Sequence, residues 1–200
     1  MRVYLLRHGA TEATAEGRYQ GWLDAPLSLA GRRALQRAAF SPQHVYVSPQ
    51  RRAVETAALW FPEAEQIPVP ELREMDFGSF EGYTWRELSG NAAYCAWVDS
   101  GCEAPVPGGE GKAIFCARVC AAFAAILNRE TAQQADTVVF VVHGGTIMAV
   151  LSSLTGGEYF DFQVKNGEGY ETVLEWIQGR WKITSLTKIG CEDSKSEHLQ

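Results

Sequence analysis

The sequence predicts an α/β fold, a three-layer sandwich around a mostly parallel central sheet. Three observations predict it. Short β-prone runs alternate with segments of helical periodicity, the pattern of a sheet with helices packed on its faces. Thr137 to Val142 is an unbroken β-branched and aromatic run, as expected of a strand buried on both faces. Two predicted strands end alike, in Arg7-His8-Gly9 and Val142-His143-Gly144, and in open α/β sheets the sites lie beyond the carboxyl ends of strands.

Residues 2–6 form the first predicted strand, and glycines with a proline punctuate 17–26 as a loop. Ser28 reads as the cap of a helix running from Leu29 to Phe40. Val45 to Val47 is a short buried strand closed by Ser48-Pro49. A helix from Gln50 to Trp60 follows, with Ala53, Ala57 and Trp60 on one face. Prolines at 62, 68 and 70 break the next stretch, and Ile67 to Leu72 reads as extended. The segment 78–111 mixes aromatics with short helical pieces. Pro105, Pro107, Gly108 and Gly109 then mark a loop before a long helix from Lys112 to Arg129. The 137–142 strand leads into a helix ending at Leu154. Thr172 to Ile177 and Trp181 to Leu186 read as two strands joined by Gln178-Gly179-Arg180. A length of 200 residues suits one domain over 1–190, with 79–111 as a cap-like insertion and 191–200 as a polar tail.

A net charge of −6 argues against a nucleic-acid partner, while a small phosphorylated substrate needs only a local arginine cluster. No apolar run has the length of a membrane span, and the N-terminus lacks a small-residue cleavage site, so a cytoplasmic protein is expected. Five unevenly spaced cysteines do not make a disulfide framework. Cys116 and Cys120 stand four apart without a second Cys/His pair, so core packing is expected of them rather than metal binding. No metal and no cofactor are expected, and the chain reads as a monomer or homodimer.

The chemistry starts from His8 and His143. If their strands are neighbours, both imidazoles project into one crevice, and the following glycines let backbone N–H groups approach an anion. Arg7 precedes His8. Arg51 and Arg52 follow the 45–47 strand, and Arg52 is the better placed to face inward because Ala53 and Ala57 keep its helix close to its neighbours. Guanidinium groups match phosphate oxygens and hold a neighbouring imidazole neutral, as a nucleophile must be. Two histidines with two arginines therefore point to phosphoryl transfer through a covalent intermediate, with His143 as a donor to a phosphoryl oxygen. A proton donor for the leaving oxygen has three candidates in Leu72 to Gly82: Glu74, favoured by its place at a strand end, Asp76 and Glu81.

These residues resemble the histidine phosphatase superfamily, which includes the cofactor-dependent phosphoglycerate mutases. Leu6-Arg7-His8-Gly9 resembles its RHG motif, and Ser48-Pro49 with Arg52-Ala53 and Thr56-Ala57 its SP-x-x-RA-x-x-TA element. Leu72 to Gly82 resembles the L-x-E…G-x-x-EG element, and His143-Gly144-Gly145 the second histidine motif. The resemblance implies that His8 is the phosphorylated nucleophile, that Arg7, Arg52 and His143 complete the phosphate pocket, and that Glu74 is the proton donor. By the same resemblance Thr14, Gln20, Gly21 and Gly144 join Arg7, Arg52 and Glu74 in binding substrate. Ala10, Ala13 and Thr14 depart from the family's usual Glu, Trp and Asn, with Thr14 keeping a hydroxyl donor. Asn166-Gly167-Glu168-Gly169 is glycine-rich where relatives have compact apolar residues, and no role is assigned to it.

Arg86 is the sole arginine between Gly82 and Gly111, where the mutases carry an arginine-rich segment, so a phosphatase is expected. Pro107-Gly108-Gly109-Glu110 and Gly17 to Gly21 resemble bacterial α-ribazole phosphatases, which implies α-ribazole 5′-phosphate as a substrate. The alternatives are a phosphoglycerate mutase and a non-catalytic phosphate sensor. The leaving-group pocket is expected within 79–111, where Phe80, Tyr83, Trp85, Tyr94 and Trp97 gather.

Overall fold

A computed structural model of the chain describes residues 1–190. Six strands form one sheet: β1 Arg2–Arg7, β2 His44–Val47, β3 Glu65–Pro68, β4 Thr137–Val142, β5 Gly169–Ile177 and β6 Arg180–Ile189. Their order is β3-β2-β4-β1-β5-β6. The first four are mutually parallel, and β5 and β6 return antiparallel at one edge. The helices are α1 Glu12–Ala15, α2 Leu29–Ala34, α3 Arg51–Trp60, α4 Trp85–Leu88, α5 Ala92–Asp99, α6 Lys112–Ala132 and α7 Gly144–Thr155.

Side chains alternate across a strand, so each central strand feeds two cores. Val3, Leu5, Phe140 and Val142 pack with Phe115, Phe123 and Leu127 of α6 and Ile147 and Leu151 of α7. Tyr4, Leu6, Val139 and Val141 point the other way, against Ala53, Ala57 and Trp60 of α3. Helices on both faces of a mostly parallel sheet make the three-layer sandwich.

Strand register positions the site. Arg7 lies opposite Val142 in the parallel β1–β4 pair, so His8 and His143 leave the sheet side by side. Val47 lies opposite Val141, which brings Ser48 to the same rim. Antiparallel β5 begins opposite Leu6, so the loop before it crosses over His8.

Two elements differ from the sequence expectation. The helix predicted from Leu29 to Phe40 stops at Ala34, because Leu35 turns extended at ψ 126°. That turn brings the Leu35 side chain against Gly9 and lets Phe40 stack on Tyr4 at 4.5 Å, contacts that outweigh local helix propensity. The run read as extended from Ile67 to Leu72 splits at Pro68, and Pro70–Leu72 is a 3-10 turn. The 79–111 segment sends Phe80, Leu88, Tyr94, Trp97 and Val106 into the α6–α7 core. The expectation for 191–200 lies outside the described residues.

Candidate active site

His8 is 3% exposed, at the end of β1. Its Nδ1 lies 2.7 Å from the carbonyl of Gly9, an atom that can only accept. The proton therefore sits on Nδ1, and Nε2 carries the free lone pair. Gly9 is held in turn, because its N–H donates to Thr56 Oγ1, whose own hydroxyl donates to Arg52 O. This chain ties the loop after β1 to α3, and it gives Thr56 of the Thr56-Ala57 pair a physical task.

Arg52 is 1% exposed and fully directed. Nη1 donates to Leu23 O at 2.8 Å, Nη2 to Gly21 O at 2.7 Å, and Nε to His143 Nδ1 at 3.3 Å. Each Nη keeps one N–H to spare. Burial lowers the Arg52 pKa to about 10, with Glu74, Asp24 and Glu81 opposing, so the group is cationic at neutral pH. Arg51 is exposed and pairs with Glu55. Arg7 donates from Nη1 to Val164 O at 2.6 Å, and its Nε is buried without a partner.

Glu74 stands across the cavity. Its Oε1 accepts from Met75 N and its Oε2 from Gly145 N at the start of α7. A Cβ on Gly145 would meet Glu74 Oε1 at 2.2 Å, so only glycine permits this approach. The other two acid candidates have structural tasks. Asp76 Oδ1 accepts from Gly78 N, and Glu81 accepts from the N–H groups of Trp22, Leu23 and Phe77.

Arg7, His8, Arg52 and Glu74 line one cavity of about 340 Å³, together with Thr14, Gln20, Gly21 and Gly144. His143 is fully buried and lies behind that wall, its ring centroid 5.1 Å from that of His8. Both of its nitrogens are engaged, Nδ1 by Arg52 Nε and Nε2 with Ser48 Oγ at 2.7 Å. The expected donor to a phosphoryl oxygen is thus an acceptor that orients Arg52 in this state. Thr14 also differs from expectation. Its hydroxyl donates to Thr11 O within a helix-capping box, so no free donor remains there. Gly21 contributes through its carbonyl, which fixes Arg52 and Gln50. Gln20 Oε1 accepts from Thr11 Oγ1, while its buried Nε2 has no partner.

Sequence reasoning missed Asn166. Its Nδ2 donates to the carbonyls of His8 and Gly9, and Gly167 N donates to His8 O as well. The glycine-rich stretch 166–169 is the loop that closes over His8. Of the five aromatics expected in the leaving-group pocket, only Trp97 lines the cavity. Phe80 and Tyr94 are core, and Tyr83 and Trp85 are exposed, because the 79–111 segment spends its inner face on the core. Tyr19, Phe77, Tyr159 and Phe160 line that side instead. Cys116 packs against the α6–α7 core, where burial first and then Cys120 push its thiol up to about 11.

Burial first, then the charges of Arg52 and Arg7, hold the His8 imidazole well below its ordinary range. Burial, Arg52 and His8 do the same to His143. Both rings are neutral at pH 7. In the unfolded chain they gain protons near pH 6.5, so acidification through and below that pH progressively favours unfolding for each histidine the fold keeps neutral. His8→Asn is expected to flatten the loss of stability between pH 6.5 and 5, read as urea midpoints. Parallel pH curves for variant and wild type would refute this account.

A neutral imidazole, two guanidinium groups and a carboxyl, gathered at strand ends of an α/β sandwich, make a site for phosphoryl transfer, and phosphatase relatives make the chain a phosphoric monoester hydrolase. The chain belongs to the histidine phosphatase superfamily (branch 1), whose family model matches residues 3–189. It is 34% identical over 166 residues to the adenosylcobalamin/alpha-ribazole phosphatase of Escherichia coli, spanning 78% of this chain and 80% of that protein. It is 33% identical over 190 residues to a glucosyl-3-phosphoglycerate phosphatase of Mycolicibacterium vanbaalenii, spanning 88% and 83%. The alpha-ribazole phosphatase structure from Shigella flexneri superposes with a TM-score of 0.78 at 28% identity, covering 93% of this chain and 96% of that one. Among the described residues, no helix is long and apolar enough to cross a membrane.

Proposed function

We propose that this phosphatase hydrolyses a small phosphate monoester without a metal, through a phosphohistidine on His8, and that its substrate is a ring-bearing ester of the α-ribazole 5′-phosphate type. One observation carries the mechanism: His8 Nδ1–H is committed to Gly9 O, which leaves Nε2 as the nucleophile between Arg7 and Arg52.

Nε2 attacks phosphorus, the P–O ester bond breaks, and the departing oxygen takes a proton from the Glu74 carboxyl. The positive charge that develops on the ring is met by Gly9 O. Charge on the phosphoryl oxygens is met by the spare N–H groups of Arg52 and Arg7. Glu74 then accepts a proton from water, whose oxygen attacks phosphorus, and the N–P bond breaks to release phosphate and restore His8.

The leaving-group side supports the substrate reading. Its cations are already matched, Arg18 by Glu16 and Glu87, and Lys112 by Glu103. A carboxylate on the leaving group would have to compete with these partners for a cation. Aromatic faces and the buried, unpartnered indole N–H of Trp97 suit an uncharged ring-bearing group that offers an acceptor.

The test is kcat/KM over α-ribazole 5′-phosphate, phosphoserine and glucosyl-3-phosphoglycerate, with and without EDTA, beside an assay of 3- to 2-phosphoglycerate interconversion. α-Ribazole 5′-phosphate, the ester without a carboxylate, is expected to lead by at least about tenfold, unaffected by EDTA. Efficient interconversion would replace hydrolysis with mutase chemistry. Phosphate binding without turnover on any ester would make the chain a sensor.

A further inference from the structure

We propose that Arg118, locked to Glu110, is a positioning residue that sets the aim of Glu74. The inference rests on the reading of Glu74 as proton donor.

Glu74 sits between two 3-10 turns, Pro70–Leu72 and Gly78–Phe80, in a stretch without regular backbone hydrogen bonds of its own. A proton donor must hold its geometry closely, so something outside the loop has to fix it. Trp22 Nε1 donates to Glu74 O at 2.9 Å and Glu74 N donates to Gln50 Oε1 at 3.1 Å from one side, and Arg118, on α6, holds the rest of the loop from the other with every N–H it has. Nη1 donates to Glu71 O at 2.6 Å and Arg73 O at 3.1 Å. Nη2 donates to Glu74 O at 3.4 Å and Glu110 Oε2 at 2.6 Å, and Nε to Glu110 Oε1 at 3.0 Å. Three carbonyls of one loop thus meet a single planar guanidinium, whose face rests over the Phe115 ring at 5.3 Å. A lysine could not reproduce that fork.

Glu110 completes the clamp from the far side. Its Oε2 also accepts from Asp76 N, and its own N–H donates to Asp76 O at 2.9 Å. Ser79 N donates to Pro107 O, so Pro107 to Glu110 runs backbone to backbone along Asp76 to Ser79. A Cβ on Gly109 would lie 2.3 Å from Asp76 O, which is why that tight approach needs glycine. The Pro107-Gly108-Gly109-Glu110 segment is the second jaw of this clamp. Arg118 and Glu110 do not line the cavity. They act through Glu74.

The test uses the dependence on leaving group. p-Nitrophenolate departs without a proton, whereas an alkoxide needs one. kcat/KM covers only the steps up to loss of the alcohol, so it isolates proton donation from the later attack of water. For Arg118→Leu, kcat/KM on an alkyl phosphate is expected to fall by about 10- to 100-fold, while that on p-nitrophenyl phosphate stays within about threefold. Glu110→Gln should show the same bias in smaller measure, and it carries the comparison if the leucine variant fails to fold. Glu74→Gln is the control, and adding Arg118→Leu to it should cost nothing further on the alkyl ester. Equal losses on both substrates, or no loss where Glu74→Gln is selective, would overturn the positioning role alone. A Glu74→Gln variant that loses both substrates equally would overturn the proton-donor reading, and this proposal with it.

Discussion

His8→Ala is expected to lower kcat by at least about 10⁴-fold on every ester, because it removes the covalent route and not merely a contact. Among the described residues, neither His143 nor Cys102 is placed to take over. His143 lies behind the cavity wall with Nδ1 engaged by Arg52 and Nε2 by Ser48. Cys102 lines the cavity, but burial pushes its thiol up, away from the thiolate form. Arg7 and Arg52 are cations without a lone pair to offer. The fold should survive, since the Gly9 and Asn166 hydrogen bonds that shape the loop run through backbone carbonyls and Thr56. Rapid quench of the wild type with labelled substrate should trap a phosphoenzyme that survives alkali and decays in acid, as an N–P bond does. The variant should trap none. Residual turnover within tenfold of wild type, or a trapped phosphoenzyme in the variant, would sink the phosphohistidine mechanism.

How much of this was legible in the sequence depends on how local each determinant is. β4 announces itself because all six residues are apolar or β-branched and both faces are covered. The convergence of His8 with His143 follows from two strands that each end in His-Gly, once those strands are neighbours in register. The choice of Arg52 over Arg51 followed from small residues one turn along the same helix, a local signal. Asn166 was invisible for the opposite reason. Its partners lie 157 and 158 residues away, and they meet it only because β5 returns antiparallel beside β1. Thr14 misled because a hydroxyl counts as a free donor until its own capping box is seen to consume it. The aromatics of 79–111 misled because composition does not say which face of a segment the core claims.

Arg52→Lys is expected to cost about 10³-fold in kcat/KM although the charge is kept, an effect in the range known for arginines that stabilise a phosphoryl-transfer transition state. The loss comes from geometry. The guanidinium spends three N–H groups on Leu23 O, Gly21 O and His143 Nδ1, and these aim the remaining two at the cavity. An ammonium has three donors in all and no plane, so satisfying even two of those acceptors leaves one hydrogen for a phosphoryl oxygen. His143 Nδ1 then loses its donor inside a fully buried pocket, and Gly21 O keeps only Gln50 Nε2. The damage should therefore appear in kcat and in phosphate affinity together, with inorganic phosphate inhibiting the variant more weakly. It should also be blind to the leaving group, because the phosphoryl oxygens are the same in every ester. That separates Arg52 from Glu74 and Arg118, whose effects follow the basicity of the departing oxygen. A lysine variant that retains phosphate inhibition but discriminates between alkyl and p-nitrophenyl esters would show that Arg52 serves the leaving group and not the phosphoryl group.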